Sequence, residues 1–194
     1  MNRRVMAVTA AAVMSMSSFV VPAMADEEEV VSIQITTPLM SMDPLIGGDA
    51  TNVTVISNTM EGLFVVDADG QIQNGLCDSY EVSDDQKTYT FHIRDNAKWS
   101  DGTPVTAQDF AYAWKRNATA EGDYSNFTYQ IEMAAIKNYE AVTSGEADAD
   151  ELGVTAVDDN TLKVELEYPV PFFLNLLTFS PWAPVKESKL TEEG

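Results

Sequence analysis

The chain has 194 residues, with 31 acidic against 11 basic side chains and a net charge of −20. So acidic a chain repels nucleic acid and anionic lipid, which excludes the usual binders of those polyanions. A single cysteine, Cys77, and a single histidine, His92, exclude an intramolecular disulfide and any multi-ligand Cys/His zinc site, so an apolar core must carry the fold.

The first residues read as a secretory signal peptide, domain 1–25. Arg3 and Arg4 form a basic start, Val5 to Val21 an apolar run, and Ala23-Met24-Ala25 a small-x-small cleavage site followed by four acidic residues. Thr9, Ser15, Ser17 and Ser18 dilute the run, which is short for a spanning helix. Cleavage after Ala25 removes two basic residues and no acidic one, leaving 169 residues at net −22. No cysteine stands at the site, so the expected product is exported to the periplasm or the cell exterior without a lipoprotein anchor.

Beyond the signal, 30–36 alternates Ile33 and Ile35 with Ser32 and Gln34, which predicts a strand. A loop over 38–50 contains Gly47-Gly48. Thr51 or Asn52 is expected to cap a helix with Val53, Ile56, Met60 and Leu63 on one face. Strands over 64–66 and 71–73 flank an Asp69-Gly70 turn. Tyr89, Phe91 and Ile93 alternate with Thr88, Thr90 and His92, the clearest strand signal in the chain.

Residues 99–116 predict a tight turn that launches a helix. Asp101-Gly102 and Pro104 are turn residues, Thr106 is an N-cap with Asp109 three positions on, and Phe110, Ala113 and Trp114 share a face. Lys115 and Arg116 suit its C-terminal end. A short helix is expected over 135–143 with Gly145 just past its end, and a surface loop over 144–152. Leu162, Val164 and Leu166 alternate with Lys163 and Glu165 in a strand with one wet face. Pro171 suits the first turn of a final helix carrying Phe172, Phe173, Leu176 and Leu177.

The residues offer little for bond-making chemistry. His92 sits opposite the aromatics of its strand and reads as structural. Asp67-Ala68-Asp69-Gly70 has its glycine too early for a calcium loop, and no glutamate closes it, so a hairpin turn is expected. Gly-x-Ser-x-Gly, His-Glu-x-x-His and Gly-rich phosphate motifs do not occur. No catalytic residue, metal ligand or cofactor is expected. Sequons begin at Asn52, Asn117 and Asn126. Trp99 and Trp114 are assigned to core packing.

The 99–116 string closely resembles the signature of the extracellular solute-binding proteins of peptide-importing ABC transporters, the oligopeptide/dipeptide-binding family 5. Further pieces follow in order: Met42-Asp43-Pro44, Met60-Glu61-Gly62-Leu63-Phe64, 78–85 with 89–94, 151–154 with 158–162, and Pro169-Val170-Pro171-Phe172-Phe173. Cys77 departs from the small residue more usual there, and 117–126 is shorter than is common and lacks the usual Asp-Pro.

The resemblance implies an α/β fold, one lobe of periplasmic-binding-protein type II architecture with a mixed sheet, helices and a β-rich subdomain. Residues 26–194 would carry most of the first lobe and lack the second, the chain stopping where relatives continue. The implied function is capture of an oligopeptide between two lobes for delivery to membrane permease subunits, by a monomer. The site residues implied are Gly48, Asp49 and Ala50, whose backbone would pair with an extended peptide, and Tyr124, an aromatic near the cleft; Asp49 would also suit a peptide's amino terminus. Other cargoes on the same fold (dipeptide, nickel complex, haem, opine, peptide signal), a non-binding fragment, and a secreted hydrolase are the alternatives.

Overall fold

The computed structural model describes residues 32, 34–35, 37–46, 49–120 and 127–190. The signal peptide, much of the strand expected over 30–36, Gly48 and Tyr124 lie outside these residues.

The centre is a four-stranded antiparallel sheet ordered β3-β4-β6-β5, from Cys77–Val82 (β3), Thr88–Ile93 (β4), Thr161–Glu165 (β6) and Val154–Ala156 (β5). β4 behaves as its alternation predicts: Tyr89, Phe91 and Ile93 are buried, and Thr88, Thr90 and His92 are half-buried. The register sets Phe91 opposite Leu162 and Tyr89 opposite Val164, so the apolar residues of β4 and β6 share one face. A separate hairpin pairs Phe64–Val66 (β1) with Ile72–Asn74 (β2). In its turn, Asp67 Oδ1 accepts from the backbone N–H groups of Asp69 and Gln71, and Gly70 takes φ +74°. These donors hold the Asp67 carboxyl below the usual carboxylate range, Gln71 first and Gln73 next.

The signature segment folds as expected into α2, Ala107–Ala118. Asp109 Oδ2 accepts from the Thr106 N–H (2.8 Å), from the Thr106 hydroxyl (3.2 Å) and from Trp99 Nε1 (3.3 Å), tying turn and helix start together. Phe110, Ala113 and Trp114 enter the core. Trp114 meets Trp182 edge to face at 4.8 Å. Trp114 Nε1 donates to the Trp182 carbonyl (3.0 Å), and Trp182 Nε1 donates to Gln130 Oε1 (2.8 Å). Both indoles thus satisfy their single donor inside the core. Phe173 closes the cluster 4.8 Å from Tyr89.

Two expectations are corrected. The helix expected over 135–143 is shorter, Tyr139–Thr143 (α4); Ala135 and Asn138 at positive φ separate it from a preceding helix, Thr128–Met133 (α3), that the sequence reading did not place. Ile136 is fully buried and bridges to Leu166, and Lys137 exchanges backbone hydrogen bonds with Glu165 and Gly153. A Cβ on Gly153 would come within 2.6 Å of the Glu165 carbonyl and 2.8 Å of Lys137 Cβ, so glycine there permits this close approach. Gly145 does end α4: its N–H reaches the Val142 carbonyl and that of Glu146 the Ala141 carbonyl, a Schellman pair. The final helix, α5, is Phe173–Leu176, so Pro171 precedes it instead of opening it, and Phe172 is exposed.

Cys77 is buried, its Sγ donating to the Ser79 carbonyl (3.1 Å), and burial pushes its thiol up to about 11.

Candidate functional site

The segment leading into α1, Ala50–Thr59, is strapped to the body by side chains. Asp43 is the anchor. Its carboxylate accepts two hydrogen bonds from the Arg116 guanidinium, at 2.9 Å to Oδ1 and 2.6 Å to Oδ2. Asp43 is 7% exposed and Arg116 15%, so water screens this bidentate pair weakly. Asp43 Oδ1 also accepts from the Leu45 N–H, which turns the chain after Pro44. The Asp-Pro element and the signature helix, 73 residues apart in sequence, are joined here.

Asn52 is the second strap. Its Nδ2 donates to the Ser41 carbonyl (3.1 Å) and to that of Ile46 (3.4 Å), while its Oδ1 accepts from the Met40 N–H (3.2 Å). The Thr51 and Thr37 hydroxyls share a hydrogen bond of 2.8 Å. Thr51 and Asn52 are buried, so neither serves as the expected N-cap. That position falls to Asp49, whose Oδ1 accepts from the N–H groups of Thr51 (2.9 Å) and Asn52 (3.2 Å). Ile56 is buried and Val53 exposed, and the helix stops at Thr59, short of Leu63.

Of the four residues singled out from the sequence, Asp49 and Ala50 stand side by side at the exposed head of α1. Asp49 spends one carboxylate oxygen on its own helix. Gly48 and Tyr124 lie outside the described residues. The sequence reading missed Asp43, Arg116 and Asn52, which position this head. The first two lie in motifs that the sequence offered separately, with no signal that they meet. Asn52 and Asn117, which begin two sequons, are fully buried.

One cavity lies beside the segment and another beside the end of α1. The first, of about 680 Å³, lies between Met42, Asp43, Ile46, Trp99, Val185 and Lys186. On its wall, Lys186 Nζ donates to Asp101 Oδ2 and to the Thr103 hydroxyl, both at 2.7 Å. Lys186 and then Thr103 hold the Asp101 carboxyl well below the usual carboxylate range. The other, of about 240 Å³, lies at the far end of α1 between Ser57, Met60, Val66 and Phe179. Among the described residues no cluster of three or more His, Cys, Asp or Glu side chains is placed to hold a metal ion.

This arrangement suits presentation of backbone and apolar surface to a ligand. Residues 71–194 match the family described as bacterial extracellular solute-binding proteins, family 5 Middle. The chain is 44% identical over 163 residues to the oligopeptide-binding protein OppA of Bacillus subtilis (strain 168), covering 84% of this chain and 29% of that protein. It is 39% identical over 167 residues to the periplasmic murein peptide-binding protein MppA of Escherichia coli (strain K12), covering 86% and 30%. The solved structure of Listeria monocytogenes OppA bound to peptide superposes with a TM-score of 0.73 at 35% identity, over 81% of this chain and 30% of that one. The chain thus spans under a third of the length of these relatives, which are named as binding proteins. Over that span the mixed helix-and-sheet architecture is the type II periplasmic-binding-protein fold implied by the motifs. The chain belongs to the bacterial extracellular solute-binding proteins, family 5.

Proposed function

We propose that this chain is part of the substrate-binding component of an ABC importer, one that captures oligopeptides and hands them to membrane permease subunits. The observation that carries this reading is the strapped head of α1 in a chain 44% identical to an oligopeptide-binding protein. Residues 26–194 form one wall of a two-lobed clamp, and the protein works as a monomer. An extended peptide pairs with the backbone at Gly48, Asp49 and Ala50, adding itself as a strand, and Tyr124 is the aromatic that resemblance to the family assigns to the cleft. Main-chain pairing accepts any peptide sequence, and bridging waters accommodate side chains. The Asp43–Arg116 pair and Asn52 prepay the ordering of the segment, so less entropy is lost on binding. No bond is made or broken. The signal peptide, residues 1–25, directs export.

Native mass spectrometry of the secreted protein tests this. Heterogeneous small adducts that disappear on denaturation are expected, with a melting temperature raised by millimolar tri- and tetrapeptides. Absence of adducts together with an unchanged melting temperature would overturn the proposal. Recovery of cleaved peptide would move the chain to the hydrolases.

A further inference from the structure

The exposed side of α1 runs from the candidate peptide anchor to a second feature. Ala50, Val53 and Ser57 follow at i, i+3 and i+7, so they share one stripe of the helix, and all three are exposed. Asn52 and Ile56 occupy the opposite, buried side. Ser57 is also part of the wall of the 240 Å³ cavity, where Phe179 is 55% exposed and Val66 54%. Two large apolar side chains therefore stand open to solvent around a hollow of about one side chain's size. The core does not explain them: Phe179 takes part in none of the ring contacts that knit Phe64, Tyr80, Tyr89, Phe91, Phe173, Trp114 and Trp182 together.

We propose that this hollow is a specificity subsite that receives a bulky apolar side chain of the bound peptide, with Phe179 and Val66 as its recognition surfaces. The inference rests on the peptide-binding reading above and adds a substrate class to it. Distance supports the link. Seven helical residues from Ala50 to Ser57 advance about 10 Å at ~1.5 Å each. An extended peptide covers the same span with about three residues at ~3.3 Å each. A peptide paired at Ala50 and laid along the stripe thus delivers a side chain to the hollow about three positions away. The contact stays apolar: among the described residues, Ser57, Thr178 and Ser180 bring the hydroxyls of the lining, and no charged side chain lines the hollow. A charged residue at that peptide position is disfavoured because it would lose water without gaining a partner.

The test is a titration of the 194-residue chain, followed by ¹⁵N–¹H correlation spectra at millimolar peptide. The probes are tetra-alanine and the four tetrapeptides with one alanine replaced by phenylalanine. One phenylalanine position is expected to bind about tenfold tighter than tetra-alanine, with the Ser57, Val66 and Phe179 amides shifting most. Phe179→Ser and Val66→Ser, both at exposed positions, should erase that preference and leave tetra-alanine binding unchanged. Equal binding of all five peptides, or a preference that survives both substitutions, overturns the subsite alone. Failure of every peptide to shift any amide of the folded chain overturns the peptide-binding reading and the subsite with it.

Discussion

The sheet-and-helix body and the segment leading into α1 hold their shape by different chemistry. In the body, Trp114, Trp182, Phe91, Phe110 and Phe173 are fully buried, and Trp182 meets both Trp114 and Phe173 edge to face, so apolar burial and packing dominate. Along residues 37–46 and at the head of α1, four polar side chains, Asp43, Asn52, Thr51 and Asp49, fix the backbone while Leu39, Met40 and Met42 stay exposed. Burial is non-directional and yields a rigid block. Hydrogen bonds are directional and set one backbone geometry on a surface that a ligand must still reach. The difference suits a scaffold that presents a binding edge.

Mutations separate the two regimes. The largest effect is expected from Trp182→Ala, which opens a cavity in the centre of the body and strands the Gln130 side-chain oxygen Oε1; about 3–5 kcal/mol of stability should be lost in chemical denaturation, with the whole molecule unfolding more easily. Asp43→Ala removes the carboxylate gripped by Arg116 and should cost about 2–3 kcal/mol, since the pair is nearly buried. Its signature is local: hydrogen exchange at 40–46 should rise far more than in β4. Equal acceleration in both places would erase the distinction drawn between the regions. Asp49→Ala should cost about 1 kcal/mol, and Asp49→Ser much less, because serine also caps. A similar loss in both variants would mean that the aspartate charge, and not the cap, matters.

The smallest effect concerns acid. The Asp101 carboxyl is lowered in the folded protein from its ordinary 3.8 by Lys186 and Thr103. A lowered folded value means that this contribution is fully present above 3.8 and is lost as pH falls below it towards the folded value. Asp101→Asn should therefore lower stability at pH 7 slightly, since the carboxylate is solvent-screened, and flatten the acid limb of the stability curve below about pH 4 by that same amount. A steeper acid limb in the variant would contradict the assignment.

Local signals made much of the body legible. β4 alternates without interruption, and the turn at 99–106 carries its own punctuation in Gly102, Pro104 and Thr106. Family motifs brought Asp43 and Arg116 to notice separately, but nothing in either fragment encodes that they meet. The same holds for Trp114 and Trp182, paired across 68 residues. Within 135–143 only the first four residues were misread: they continue the helical pattern of 139–143, while the demand to bury Ile136 against Leu166 pulls them to the sheet edge. At the head of α1, Asp49, Thr51 and Asn52 are all good capping residues. Burial of the latter two selects Asp49, and burial is a tertiary property. Gly48 and Tyr124 remain part of the proposed peptide contact through resemblance to the family.

The place of Trp182 in the centre of the core also orders events in time. A chain emerging from N-terminus to C-terminus makes β4, α2 and β6 well before residue 182, yet Trp114 has neither its edge-to-face neighbour nor its carbonyl acceptor until then. Early elements can form hairpins and helical turns but cannot lock together, and closing so long a loop delays the step that makes folding cooperative. Nascent intermediates ending before 182 are therefore expected to stay loose and protease-sensitive, and the stretch carrying Trp182 acts as the latch of the elements made before it.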